Sequence, residues 1–175
     1  MTLTPTIEKF ILHWGEMGAK WGINRTVAQI QALLFVSEEP LNAEQISGLL
    51  GVARSNVSTS IRELINWGIV KSAPVMGDRK EYFTTIKDVW KLFQIIMAER
   101  KKREIDPTTA ILGECVEEAD ASNEAYASER LAELLDFINT MSSCYDKFQG
   151  VPVGALTSMI NMSDEVGRFF GKKSA

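Results

Sequence analysis

Between residues 54 and 80 the chain concentrates side chains suited to holding a polyanion and reading its surface. Arg54, Ser55, Asn56, Ser58, Thr59 and Arg62 fall close together, and Arg79-Lys80 follow after a β-type run. Short hydroxyl and amide groups let a helix backbone approach a groove closely and carry donors and acceptors for base edges. Guanidinium and ammonium groups suit phosphate. The chemistry on offer is recognition.

No constellation for bond breaking competes with it. His13 is the sole histidine and has no Cys/His cluster around it, so no metal site is expected. Cys115 and Cys144 are too few and too far apart for a disulfide scaffold and read as buried, reduced thiols on helices. There is no Gly-rich phosphate loop after a strand and no nucleophile–base pair, and Glu117, Glu118 and Asp120 read as a solvated helix face. Neither an enzyme nor a cofactor is expected.

The elements that must position those residues follow from periodicity. Residues 5–21 form a helical stripe of Ile7, Phe10, Ile11, Trp14 and Met17, and Asn24 can cap a second helix that buries Val27, Ile30, Leu33 and Leu34. Asn42 with Gln45 reads as a capping box for a short third helix ending at Gly51. A fourth runs from Arg54 to Trp67. With Val57, Ile61, Leu64 and Ile65 facing the core, the 100° step places Ser55, Thr59 and Arg62 outward, flanked by Asn56 and Glu63. Gly68 ends that helix, and strands at 69–73 and 81–85 enclose a charged loop.

Helix, turn, helix and charged hairpin, in that order, describe a winged helix-turn-helix. Val89, Trp90, Phe93, Ile96 and Met97 then mark one face of a helix that should end in the run Arg100–Arg103, where cations suit the helix dipole. From Pro107 to about Lys147 the pattern stays helical, with Leu131, Leu134, Leu135, Ile138, Met141 and Tyr145 on a stripe. Gly150 and Pro152 interrupt it before a last helix over 153–170. The fold class is mainly α with a small β-hairpin wing: a winged helix-turn-helix plus a helical dimerisation extension.

Charge divides the 175-residue chain the same way. The net charge is −4, yet residues 1–104 carry 14 Lys/Arg against 11 Asp/Glu, and residues 105–175 carry 5 against 12. We therefore expect a DNA-binding domain over 1–104 and a helical dimerisation or effector region over 105–175. The apolar stripes at both ends exceed what a small winged-helix core can cover, which predicts a homodimer. No apolar run approaches the length of a membrane span and no secretory leader opens the chain, so no membrane partner and a cytoplasmic address are expected.

The segments WGINRTVAQIQALL, RSNVSTSIRELINWGIVK, GDRKEYFTTIKDVWKLF and ERKKREIDP together resemble the GbsR branch of the MarR-type transcriptional regulators. The likeness covers roughly residues 7–110. It implies a homodimeric regulator, expected to be a repressor, that binds a two-fold operator in double-stranded DNA and is usually modulated by a small molecule. Carried onto this chain, Arg54–Trp67 is the reading helix and Met76–Glu81 the wing. Ala53 departs from the Ser or Thr that often caps such a helix, forgoing about 1 kcal/mol.

Trp14, Trp21, Trp90 and Phe93 are the candidates for a ligand site. Aromatic faces can replace water around a quaternary ammonium ion, and members of the resembling branch respond to choline-type ligands. Core packing is the competing assignment for each ring. Two rival functions remain open on the sequence: a winged-helix protein-interaction module without specific DNA binding, and a helical small-molecule binder.

Overall fold

Thr4 and Asn24 start the first two helices. In a computed structural model of the chain, which describes residues 2–149 together with 151, 154, 155 and 158, α1 runs Pro5–Lys20 and α2 runs Arg25–Val36. The Thr4 hydroxyl accepts from the Ile7 N–H and the Asn24 side chain from those of Thr26 and Val27, which satisfies amides a helix start leaves orphaned. Most of the helix expected over 153–170, with Gly150 and Pro152 before it, lies outside the described residues.

The described chain forms two compact units, 1–96 and 97–175. In the first, α3 (Ala43–Leu50) opens with the capping box that Asn42 and Gln45 predict. Gly51, at φ 63°, makes the tight turn into α4 (Arg54–Asn66). Gly68 adopts φ 73°, and the bonds Gly68 N–H to Ile65 O and Ile69 N–H to Leu64 O close α4 as a Schellman motif. Strands β2 (Val70–Ser72) and β3 (Tyr82–Thr85) form the expected hairpin.

One strand went unforeseen. β1 (Leu41–Asn42) pairs antiparallel with β3, giving a three-stranded sheet in the order β1-β3-β2. Two residues cannot show an alternating pattern, and Asn42 also serves as the cap of α3. Leu41 opposite Phe83 ties the helix-turn-helix to the base of the wing.

The core joins Ile11 of α1 to Val27, Ile30, Leu33 and Leu34 of α2, Ile46 of α3, and Val57, Ile61 and Leu64 of α4. Ile69, Val70 and Phe83 cap it from the sheet side. Ile65 does not join it and stays 40% exposed. Ser60 is buried in its place, because the inward direction of α4 bisects Val57, Ser60, Ile61 and Leu64, and Ile65 lies about a quarter-turn away.

The helix α5 (Val89–Arg100) also turns differently from its sequence reading. Leu92 is buried, with Ile95 and Ile96 packed beside it, whereas Val89, Trp90 and Phe93 face outward. Nor does α5 end in its basic run. Lys101–Ile105 continue as a π-helix into α6 (Asp106–Ala121). Pro107 supplies a reason: its ring lacks an N–H and crowds the carbonyl four residues back, which a wider turn relieves. The cations are therefore not at a helix end. Lys101 instead bridges Asp106 at 2.9 Å and Asp146 at 3.8 Å.

The continuous helix expected from 107 to 147 is broken at Asn123, whose φ of 59° ends α6 before α7 (Ala125–Gln149). In the second unit Ala119 alone among the described residues is buried. Leu134, Phe137, Met141 and Phe148 of α7 are exposed, and so is Cys144, which the sequence placed inside; Cys115 is half-buried.

Candidate nucleic-acid interface

The outward side of α4 and the wing form one surface on the first unit. Arg54, Ser55, Asn56, Ser58, Thr59 and Arg62 are all exposed along α4, and Arg79 and Lys80 are exposed in the hairpin loop. Ser58 turns its hydroxyl back onto the Arg54 carbonyl at 3.1 Å. Among the described residues, the side chains of Ser55, Asn56, Thr59, Arg62 and Arg79 form no hydrogen bond or ion pair, which leaves them open to an incoming partner. Ala53 makes no side-chain cap, so the first amides of α4 are uncovered as well.

Between α4 and the wing lies a groove of about 370 Å³ whose lining includes Arg54, Ser58, Arg62, Ile65 and Lys80. Glu44 of α3 stands at its edge. Its carboxylate accepts from Arg54 Nη1 at 3.2 Å and from Lys80 Nζ at 2.7 Å. The bond from Lys80 and its charge, then the charge of Arg54, hold Glu44 below its usual 4.5, and Glu44 in turn raises Lys80 above 10.5. No feature of the sequence marks Glu44 as part of this surface; it sits ten residues before Arg54 and thirty-six before Lys80.

The wing is shaped by Asp78. Its carboxylate accepts from the Lys80 N–H at 2.9 Å and from the Tyr82 hydroxyl at 2.8 Å, a local turn that Gly77 completes at φ 84°. The Lys80 N–H and then the Tyr82 hydroxyl lower the Asp78 pKa. Arg79 and Lys80 are thereby set on a defined loop, with a fully exposed Met76 at its tip.

A family model for MarR proteins matches residues 21–81, the stretch that holds α2, the helix-turn-helix and the wing. The winged helix of residues 21–81 is similar to that of the MarR family. The MarR family is one of DNA-binding transcriptional regulators, not of enzymes.

Other similarities extend beyond residues 21–81. The chain is 21% identical over 153 residues to YvaV of Bacillus subtilis, a protein named as an HTH-type transcriptional regulator, covering 81% of this chain and 86% of that one. Over 84 residues it is 27% identical to the HTH-type transcriptional regulator MmpR5 of Mycobacterium tuberculosis, which is 47% of this chain and about half (51%) of that one. A crystal structure of a transcriptional regulator superposes with a TM-score of 0.56 at 24% identity, covering 83% of this chain and 97% of that one, and shares the fold.

The candidate aromatic residues fall into two places. Trp14 and Trp21 line an apolar cavity of about 70 Å³ with Trp67, Met17 and Gln31, under α1 of the first unit. Trp90 and Phe93 are absent from that lining and pack edge to face on each other, 6.3 Å between centroids. Trp67, just after α4, joins Trp14 and Trp21 in this lining. His13 is exposed, and among the described residues there is no cluster of side chains that could hold a metal ion. No described helix is long and apolar enough to cross a membrane.

Proposed function

We propose that this chain is a cytoplasmic repressor of the GbsR branch of the MarR family that binds a two-fold operator as a homodimer. In this reading α4 enters the major groove. Arg54, Ser55, Asn56, Ser58, Thr59 and Arg62 read base edges or clamp phosphates, and Arg79 and Lys80 hold the flanking backbone or reach the minor groove. The observation that carries it is the uncommitted polar face of α4 lying beside a cationic wing.

Residues 1–104 serve as the reading domain and 105–175 as the dimerisation or effector region. Exposed Leu134, Phe137, Met141 and Phe148 on a 25-residue helix support the second role. An effector preferring one spacing of the two wings would change operator affinity by its differential binding. The cavity lined by Trp14, Trp21 and Trp67 supports a quaternary ammonium ligand, with Trp90 and Phe93 as a separate aromatic pair. Calorimetry with choline and glycine betaine tests it: no heat and no shift in melting temperature would remove the effector from this account.

Salt dependence tests the main reading. A binder that neutralises several phosphates loses affinity with a slope of about −0.9 per phosphate on a log–log plot. A protein-interaction module docking through exposed apolar residues would show little such slope, and a duplex would not be retained at all.

A further inference from the structure

Glu44 projects from the first turn of α3 to the edge of the α4–wing groove and meets a cation on each side. One of its oxygens takes Arg54 Nη1 at 3.2 Å, and the other takes Lys80 Nζ at 2.7 Å. A carboxylate with one oxygen on each of two cations has the geometry in which a phosphate presents its two unesterified oxygens. The three side chains are 48%, 67% and 53% exposed, so both pairs are open to competition from solvent and from other anions. Arg62 and Arg79, the other cations of the surface, have no such partner among the described residues.

We propose that Glu44 is an internal competitor for backbone phosphate, occupying Arg54 and Lys80 in the free protein and yielding them only when DNA enters the groove. The proposal rests on the DNA-binding reading above and assigns a regulatory residue to it. The competition costs affinity for any duplex that engages Arg54 and Lys80 through its phosphates. Sequence-independent binding is almost wholly phosphate-driven and has no base contacts with which to offset that cost. Base reading by Asn56, Thr59 and Arg62 is untouched by Glu44 and is retained in full at an operator. Glu44 therefore keeps sequence-independent binding weak, while base reading keeps an operator occupied against a genome of competing sites.

Glu44→Gln in the full chain tests this, read as the affinity for a random-sequence duplex across a series of ionic strengths. Glutamine keeps the length of the side chain, and the Asn42 cap uses the backbone N–H of residue 44, so α3 keeps its start. The expected result is several-fold tighter binding with a salt slope steeper by about one to two units, one for each cation released. Unchanged or weaker binding with an unchanged slope would overturn the proposal, because Glu44 would then be orienting the cations for DNA. Arg79→Ala, which removes a phosphate contact not paired with Glu44, separates this failure from a failure of the underlying reading. Weaker duplex binding in that variant, alongside no response in E44Q, overturns the competitor alone. No duplex binding by the folded wild type or by E44Q overturns both.

Discussion

Gly18 lies against Ala28 so closely that a Cβ at position 18 would sit 2.5 Å from the Ala28 Cβ. That approach lets α1 pack on α2, and the same crossing walls the cavity beneath Trp14 and Trp21. Glycine inside a helix ordinarily weakens it by about 0.5–1 kcal/mol relative to alanine. Here the sterics decide. Gly18→Ala should lower stability by about 1–3 kcal/mol in spite of the better helix former. Thermal unfolding checks it, and the double variant Gly18→Ala, Ala28→Gly should recover most of the loss. A single variant at least as stable as wild type would contradict the packing described.

Lys87 closes the far end of α2. Its ammonium donates to the carbonyls of Leu34, Phe35 and Ser37 at 2.7, 2.8 and 2.6 Å and lies over the Phe35 ring. These are carbonyls that a helix end leaves without partners. Lys87→Met should therefore cost about 1–3 kcal/mol of stability. Partial burial lowers the Lys87 pKa from 10.5, so the unfolded chain holds a proton there that the folded chain releases first. The contribution of this group to stability should then rise with pH in a window just below 10.5. Denaturant titrations of wild type and variant across that window check both statements.

Glu44 titrates in the same sense, at the acid end of the range. Its pKa is lowered by Lys80 first and Arg54 second, so the contact that bridges α3, α4 and the wing is present above 4.5 and is lost as pH falls through the lower folded value. A carboxyl carbon titration by NMR should give Glu44 a midpoint below 4.5, and Lys80→Ala should return it toward that ordinary value. A midpoint unmoved by that substitution would mean the ion pair does not persist in solution.

Arg79→Ala and Asn56→Ala should separate two kinds of contact. Loss of a phosphate contact at Arg79 should weaken binding to all duplexes alike and flatten the salt slope by about one unit. Loss of a base contact at Asn56 should cost about 1–3 kcal/mol at its operator position and leave random duplex unaffected. Binding curves on operator and scrambled DNA distinguish them. Wild-type affinity and specificity in both variants would refute the docking of α4.

In the proposed dimer, Leu134→Glu with Phe137→Glu should leave a monomer in sedimentation. Operator affinity should fall by about a hundredfold, because two linked reading heads bind as one. A dimer of unchanged stability would place the interface elsewhere than α7.

Much of this was legible in the residues. Asn24, the Asn42–Gln45 box and Gly68 mark helix ends through local hydrogen bonds and backbone preference, and such signals need no tertiary information. The outward face of α4 followed from four apolar positions even though Ile65 proved marginal, since moving the burial axis by part of a turn leaves Ser55, Thr59 and Arg62 outside. Other features depend on partners far along the chain. Glu44 belongs to the interface only because the sheet brings the wing over α3, and β1 exists only because β3 lies beside it. The face of α5 was misread because Trp90 and Phe93 carry more apolar weight than Leu92, the side chain that the core buries. The break at Asn123 rests on one residue in the left-handed region, a conformation asparagine tolerates without announcing it.

Operator recognition by the dimer is open to selection of genomic fragments on the purified protein at physiological salt. The account predicts enrichment of a short two-fold motif near a promoter, its half-sites about one helical turn apart. Retention of no fragment, or of all fragments alike, would contradict it.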